Sequence, residues 1–382
     1  MSALRRAAAG YLALQTAKAT LALRTARTAP PAREPAAADV AQVVVAQPVL
    51  SGDPELENVL RDNLLSLVGA RFVWLVDTDD AEGRAVTARL AEQAATAGAE
   101  APRLEIVLCP PAPEGVNPKL TKLVTALDAA EDDEVLLVLD DDTRLPRPAL
   151  GALLGGLQRG ATLATGLPGY LPGRGPWAGL VQQFVLDNAA MTYLTLPPVT
   201  INGMTWAMRV RDLRALGGFT PLLRTLTDDL AVARAVLGSG GTIVQTATPQ
   251  WTTTTVASPG AYVRLLHRWM LFADLLLRRQ PPRTAGAIAG LHGLHPGLLG
   301  FVLAGAVRTR RPGPAVVVLG GRALLLIGAQ RAVHGRSYHR PLLSVASELM
   351  QPAHLVHAAL RRTIRWRSRV YRVRADDDFG PA

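Results

Sequence analysis

The sequence predicts an α/β fold built on a mainly parallel sheet, followed by C-terminal helical segments that associate with a membrane. Three observations carry this. Short β-rich runs alternate with helix-length stretches from residue 39 onward, the runs are continuously apolar, and a 23-residue stretch without Asp, Glu, Lys or Arg occupies 285–307. Continuous apolar strands separated by helices imply parallel pairing with both sheet faces covered. The 382 residues carry a formal charge of +10, from 41 Lys plus Arg against 31 Asp plus Glu, which excludes an acidic disordered chain. An apolar share of 49% is high for a water-soluble enzyme and low for a chain that is mostly bilayer-spanning. The lone Cys109 rules out a disulfide framework or a cysteine-rich zinc site, and reads as a small buried hydrophobe.

Residues 1–38 contain Arg5, Arg6, Lys18, Arg24, Arg27 and Arg33, with no acid before Glu34, and run into prolines 30, 31 and 35. They read as a basic N-terminal arm and linker, with an interfacial helix as the alternative. Residues 39–280 form the α/β domain. Strands are expected at 43–49, 72–77, 104–109 and 134–140, and helices at 54–67, 82–97, 118–130 and 146–157. Each helix is preceded or opened by a Pro or Asp, residue types that suit a helix N-terminus. Residues 281–382 form an apolar helical region with an arginine-rich tail. As a helix, 285–307 would span about 34 Å, enough to cross a bilayer core or to form a re-entrant element. The runs 315–329 and 341–360 are interrupted by Arg322 and Glu348. The tail places Arg361, Arg362, Arg365, Arg367, Arg369, Arg372 and Arg374 around Trp366 and Tyr371, which suits an anionic membrane surface. Nucleic acid is not an expected partner, because no nucleic-acid module is recognisable.

The chemistry-bearing residues are carboxylates at strand ends. Leu136 to Leu139 run straight into Asp140, Asp141 and Asp142. Alternate residues of an extended chain share a face, so Asp140 and Asp142 can address one site. Two hard carboxylates suit Mg2+ or Mn2+, which would bind a diphosphate; a solvated acidic turn ahead of Pro146 is the plain alternative. Asp77-Thr78-Asp79-Asp80 ends an earlier strand on what would be the same rim, with Asp80 placed to cap the next helix. Asp228 and Asp229 open a further helix, where one of them could act as general base or both could serve as a cap. Asn202-Gly203-Met204 and Gly217-Gly218-Phe219 suit close backbone approach to a ligand, or plain turns. Arg268 and Trp269, on an expected helix, would neutralise a leaving diphosphate or mark a membrane interface. No nucleophile elbow, P-loop or dinucleotide fingerprint supports a hydrolase, kinase or dehydrogenase.

In order and spacing, these pieces resemble family 2 glycosyltransferases, within them the ceramide glucosyltransferase-like group that includes hopanoid-biosynthesis members. The markers are residues 48–58, Asp77-Thr78-Asp79-Asp80, Val116-Asn117-Pro118-Lys119-Leu120, the Asp140 triplet, Asn202-Gly203-Met204, Gly217-Gly218-Phe219, Thr227-Asp228-Asp229 and the tail 364–372. The resemblance implies a GT-A fold, a nucleotide-diphosphate sugar donor, with a UDP-sugar the expected member, a lipid acceptor, and a cell-membrane location with the catalytic domain on the cytoplasmic side. It implies donor or nucleotide contacts at Asp77, Asp79, Lys119, Asp140, Arg268 and Trp269. The metal would sit on Asp140 and Asp142, and Asp229, with Asp228 beside it, would supply the base of an inverting displacement. The pattern departs at Leu265, where the group carries Gln or Arg three positions before the Arg-Trp pair, and at the N-terminus, where the group has a transmembrane helix. A polysaccharide-extending family 2 synthase and a non-catalytic nucleotide-sugar-binding relative are the competing readings.

Overall fold

The computed structural model describes residues 3–96, 102–366 and 369–382, with the backbone alone for Trp366 and Arg369. Ala97, the expected end of one helix, and Arg367 of the basic tail lie outside the described residues. In chain order the elements are α1 (Ala3–Thr28), α2 (Ala37–Ala41), β1 (Val43–Val49), α3 (Leu56–Ser66), β2 (Arg71–Asp77), α4 (Ala81–Ala95), β3 (Arg103–Cys109) and α5 (Pro118–Asp128). There follow β4 (Val135–Leu139), β5 (Thr143–Arg144), α6 (Arg147–Gln158), β6 (Leu163–Leu171), α7 (Gly175–Tyr193), β7 (Thr205–Arg209), α8 (Val210–Ala215), α9 (Asp228–Gly238) and β8 (Ile243–Thr253). The last are α10 (Pro259–Arg278), α11 (Pro282–Thr309), α12 (Gly313–His334), α13 (Pro341–Leu360), β9 (Thr363–Trp366), β10 (Arg369–Ala375) and β11 (Asp378–Pro381). They group into two compact units, each assembled from stretches distant in sequence. One comprises Ala29–Pro168, Pro198–Thr255 and Trp366–Ala382; the other comprises Met1–Thr28, Gly169–Pro197 and Val256–Arg365.

The first unit is organised by a mixed eight-stranded sheet in the order β3-β2-β1-β4-β7-β6-β8-β5. The half β3-β2-β1-β4 is parallel, with Val44 opposite Arg71 and Leu136, and Asp77 opposite Cys109. β1, β2 and β4 are buried along almost their whole length because both faces are covered, whereas the edge strand β3 is partly exposed. Val43, Val45, Phe72, Trp74, Leu137 and Leu139 point to one core, shared with Leu60 of α3, Leu90 of α4 and Leu150 of α6. Val44, Ala46, Val73, Leu75, Leu136 and Val138 point to the other, shared with Leu120 and Leu123 of α5 and Val232 of α9. Period-two alternation thus feeds two cores from the same strands. Beyond β4 the sheet turns antiparallel, with Leu139 opposite Thr205 on β7. That reversal matters for the site: the segment entering β7, Asn202-Gly203-Met204, arrives beside the end where β4 leaves.

The second unit is helical. The residues expected as a basic arm form α1, which buries Leu4, Ala8, Tyr11, Gln15, Lys18 and Ala22 in a three-four stripe. Its leucines sit over glycines of α11 and α12: a Cβ on Gly305 would meet Leu4 Cδ1 at 2.7 Å, and one on Gly321 would meet Leu12 at 2.8 Å. Gln15 and Lys18, the residues that interrupt the apolar run in the sequence, face inward. There Glu348 of α13 accepts from the Tyr11 hydroxyl at 3.0 Å and from Arg322 Nε at 2.7 Å, and its other contact is His295 Nδ1, also at 2.7 Å. Arg322 also donates to Ser344 Oγ at 2.7 Å, and Ser344 donates in turn to Asp187. The outside of the same helices is apolar: Phe301, Val307, Val316, Leu324, Leu342 and Leu360 are all exposed. Among the described residues, Pro282–Thr309 and Gly313–His334 are long and apolar enough to cross a membrane.

Candidate active site

The site residues of the sheet unit gather on the rim formed by the carboxyl ends of β1, β2 and β4, where ligands of such sheets bind. Asp140 follows the last residue of β4, and its backbone is fixed on two sides. Its N–H donates to the Met204 carbonyl at 2.9 Å, and its carbonyl accepts from the Gln47 side chain at 3.3 Å. Gln47 is fully buried in β1 and is itself oriented by Trp74 Nε1 at 3.0 Å. The Asp141 carboxylate turns back to accept from the Leu50 N–H at 2.7 Å, a structural task that leaves Asp140 and Asp142 as the rim-facing pair. Asp142 accepts from the Thr143 hydroxyl at 3.0 Å.

Asn117-Pro118-Lys119 supplies the central cation. Asn117 caps α5 by accepting from the N–H groups of Lys119 and Leu120, and Pro118 occupies a first-turn position that needs no N–H donor. The helix start thereby aims Lys119 into the rim. Its ammonium lies 2.7 Å from Asp140 Oδ1 and 2.9 Å from Asp228 Oδ2, and donates to the Gly203 carbonyl at 3.0 Å. One lysine joins three segments that the sequence reading treated separately. Burial alone would lower its pKa, but the attraction of Asp140 and then Asp228 outweighs this and holds the amine protonated well above its ordinary range.

Asp228 and Asp229 are the first two residues of α9, as expected. Gly203 lies beside Asp229: a Cβ there would stand 3.4 Å from Asp229 Cβ, an ordinary contact. Gly217 and Gly218, with φ of +87° and +66°, are explained by the turn after α8. Desolvation, then the neighbouring Asp228 charge, pushes the Asp229 carboxyl up to about 7. Desolvation also raises Asp140 to about 7, with Lys119 pulling against the shift and Asp142 adding to it.

The earlier acidic strand end divides its labour. Asp77 is buried and ion-paired with Lys122 at 3.1 Å, and that ammonium also donates to the Val49 carbonyl at 2.9 Å. Asp80 caps α4 by accepting from Gly83, and takes a second bond from the Ser51 N–H at 2.8 Å. Asp79 is the exposed member of the group. Arg268 and Trp269 lie on α10 in the helical unit, where Trp269 stacks on Phe184 with centroids 5.7 Å apart and meets Tyr170 edge-on at 5.9 Å. His267 contacts the Thr363 carbonyl at 3.0 Å and packs on His357.

Two site residues escaped the sequence reading. Lys122 lies one helical turn past Lys119, a spacing of three that puts both amines on one helix face and could have flagged it. Asp376 stands behind α9: its Oδ1 accepts from the Thr227 N–H at 3.0 Å and from the Thr227 hydroxyl at 2.6 Å. Nothing in the run Asp376-Asp377-Asp378 distinguishes it locally.

The chain is similar to the mannosyltransferase PcManGT from Pyrobaculum calidifontis, solved in complex with GDP-Man and Mn2+. The match has 18% identity and a TM-score of 0.52, covering 94% of this chain and 98% of that one. This establishes a GT-A-like fold. A weaker likeness, with 17% identity and a TM-score of 0.34, covers 62% of this chain and 79% of a mycobacterial protein. No curated protein matches the sequence. The family model that matches is that of glycosyl transferase family 21, and it spans residues 7–379. The chain belongs to glycosyl transferase family 21.

Proposed function

We propose that the protein is a membrane-associated inverting glycosyltransferase that moves a sugar from a UDP-sugar to a lipid hydroxyl. The observation that carries this reading is the Lys119 bridge, which brings Asp140, Asp228 and Gly203 to one point beside Asp229. A raised carboxyl pKa in a partly desolvated rim suits a general base working near neutral pH.

Asp140 and Asp142 would hold the divalent ion. Among the described residues no group of three or more His, Cys, Asp or Glu is arranged to bind a metal by itself. A pair of carboxylates nevertheless fits Mg2+ or Mn2+, which take one or two protein carboxylates and complete their shell with phosphate oxygens and water. When bound, such an ion stabilises the charge of the departing diphosphate. The rest falls to the chain. Lys119 keeps the neighbouring carboxylates from repelling one another and supplies positive charge toward the donor, while Asp79 is exposed to meet the nucleotide. Asp229, with Asp228 beside it, takes the proton of the acceptor hydroxyl. That oxygen forms its bond to the anomeric carbon as the carbon–diphosphate bond breaks, so the configuration inverts and no glycosyl-enzyme forms.

The lipid acceptor and the membrane are supported by the helical unit, whose helices expose Phe301, Val307, Val316, Leu324, Leu342 and Leu360 while Lys18, Arg322 and Glu348 are buried. Within this reading, the unit of Ala29–Pro168, Pro198–Thr255 and Trp366–Ala382 carries the transferase site, and the helical unit carries the membrane-facing surface. The basic tail contacts anionic lipid on the cytoplasmic side, and hopanoid-type lipids fall within the acceptor class. Because the similar mannosyltransferase was solved with GDP-Man, GDP-sugars are the alternative donors. The test is calorimetric titration of the full-length protein with UDP- and GDP-sugars, with and without Mn2+ or Mg2+. Selective binding that needs the metal supports the reading. A folded protein that binds none of them contradicts it and favours a non-catalytic relative.

A further inference from the structure

The turn between β10 and β11 reaches the start of α9 through Asp376. The residue is 2% exposed. Besides the two bonds from Thr227 to its Oδ1, its main-chain carbonyl accepts from the Leu226 N–H at 2.7 Å. From the opposite side, Asn117 Nδ2 donates to the carbonyls of Thr225 and Leu226, each at 3.0 Å. The strap 225–227 is therefore gripped by two side chains remote from it in sequence, and the next two residues are Asp228 and Asp229.

Two details separate this clamp from an ordinary helix cap. Thr227 holds the N-cap position of α9, yet its hydroxyl does not cap the helix and turns to Asp376 instead. A threonine can cap by itself, so the acid is not required for helix initiation. The second carboxylate oxygen of Asp376, Oδ2, is buried without a hydrogen-bond partner among the described residues. A buried polar atom left unpaired is costly and calls for a reason beyond local stability.

We propose that Asp376 is a positioning residue for sugar transfer, holding the first turn of α9 so that Asp229 is presented to the acceptor hydroxyl. The inference rests on the reading of Asp229 as the base. The charged groups facing Asp229 are Asp228 on its own helix, Lys119 from α5 and Asp376 from this turn. A negative charge at 376 also adds to the basicity of Asp229, in the same sense as Asp228.

The test compares Asp376→Ala, Asp376→Asn and Thr227→Val in the full-length protein. Two readouts are used: nucleotide-diphosphate release in lipid vesicles, resolved into kcat and donor KM, and hydrogen exchange of the amides in 227–231. Asp376→Ala should lower kcat by about tenfold to a hundredfold while donor KM stays within about twofold, as misplacement of a reacting group does. Its exchange should quicken. Asp376→Asn keeps an oxygen that accepts both Thr227 bonds, so kcat should recover to within about threefold of the parent protein. Its acid limb should move to lower pH. Thr227→Val loses one of the two bonds and should fall between these. Unchanged kcat in Asp376→Ala overturns the inference, as does a loss of donor affinity that matches the loss of transfer. If Asp376→Ala does not fold, unchanged kcat in Thr227→Val overturns it. Normal transfer by Asp229→Asn removes the base assignment and this inference together. Normal transfer by Asp376→Ala beside an inactive Asp229→Asn removes this inference alone.

Discussion

Lys119 and Asp140 form an ion pair of 2.7 Å that ties the first turn of α5 to the end of β4, and the same ammonium extends to Asp228 at 2.9 Å. A central cation between carboxylates both organises the rim and sets its charge. Lys119→Met should leave these acids facing each other uncompensated. We expect a loss of about 2 kcal/mol, below the ~3–5 kcal/mol for a fully buried pair because Asp140 is partly solvated. Urea denaturation followed by circular dichroism checks it, and a parent-like midpoint would remove Lys119 from this role. The sign with pH is fixed. Because the folded pKa lies above the ordinary 10.5, the stabilisation is complete below that value and lost only in stronger alkali.

Asp229 and its environment set the pH dependence of transfer. The base must be ionised to accept a proton, and its carboxyl is lifted to about 7 by desolvation and then by Asp228. Transfer should therefore rise with pH through about 7, whereas an ordinary carboxylate would place that rise near 4. A kcat profile from pH 5 to 9 distinguishes them. The linkage runs the opposite way for stability: a raised folded pKa means the folded state holds the proton more tightly, so stability falls as pH climbs toward 7. At pH 8, Asp229→Asn should be more stable than the parent by about 1 kcal/mol or more, measured by thermal unfolding.

Asp77 and Asp79 stand two residues apart and should fail in different ways. Asp77 is buried against Lys122, so Asp77→Ala leaves an unpaired buried ammonium and should cost about 3–5 kcal/mol. Asp79 is exposed. Asp79→Ala should leave the melting temperature in place and weaken donor binding by about tenfold, the effect of losing one hydrogen bond to a ligand. Calorimetric unfolding and donor titration on both variants check the contrast, and a destabilised Asp79→Ala would contradict it.

For the helical unit, we expect Glu348→Ala to be among the most damaging single changes. The carboxylate pairs with Arg322 and takes the Tyr11 hydroxyl, so its removal leaves the buried guanidinium to its longer 3.7 Å contact with Asp187, at a cost of about 3 kcal/mol. By contrast, Phe301→Glu combined with Leu324→Glu alters outward positions. It should shift the protein from the membrane pellet toward the soluble fraction without unfolding it in detergent.

Much of this architecture was legible in the residues. The run Val43–Val49 and the helix Pro341–Leu360 lie where the sequence placed them, because continuous β-branched residues and a proline start leave few alternatives. The acidic strand ends also read correctly as rim residues, since a buried strand must deliver its polar terminus to the sheet edge. Two things were hidden for a physical reason. Apolar periodicity carries no strand direction, so the antiparallel pairing of β4 with β7 had no signature. Partners remote in sequence had none either. Gln15 and Lys18 read as interruptions of an apolar run, although Gln15 donates to the Tyr11 hydroxyl that in turn meets Glu348. Asp376 likewise sits in an acidic run following an arginine-rich tail, and only the fold brings it to Thr227.

The central claim is that Asp229 removes the acceptor proton in a site that binds the donor independently of it. The most direct measurement is paired: donor affinity by calorimetry and nucleotide-diphosphate release in lipid vesicles, for the parent protein and Asp229→Asn, with Mn2+ present. The account predicts donor affinity unchanged within about twofold and release reduced by at least about a hundredfold. Parent-like release by Asp229→Asn, with the donor still bound, would contradict it.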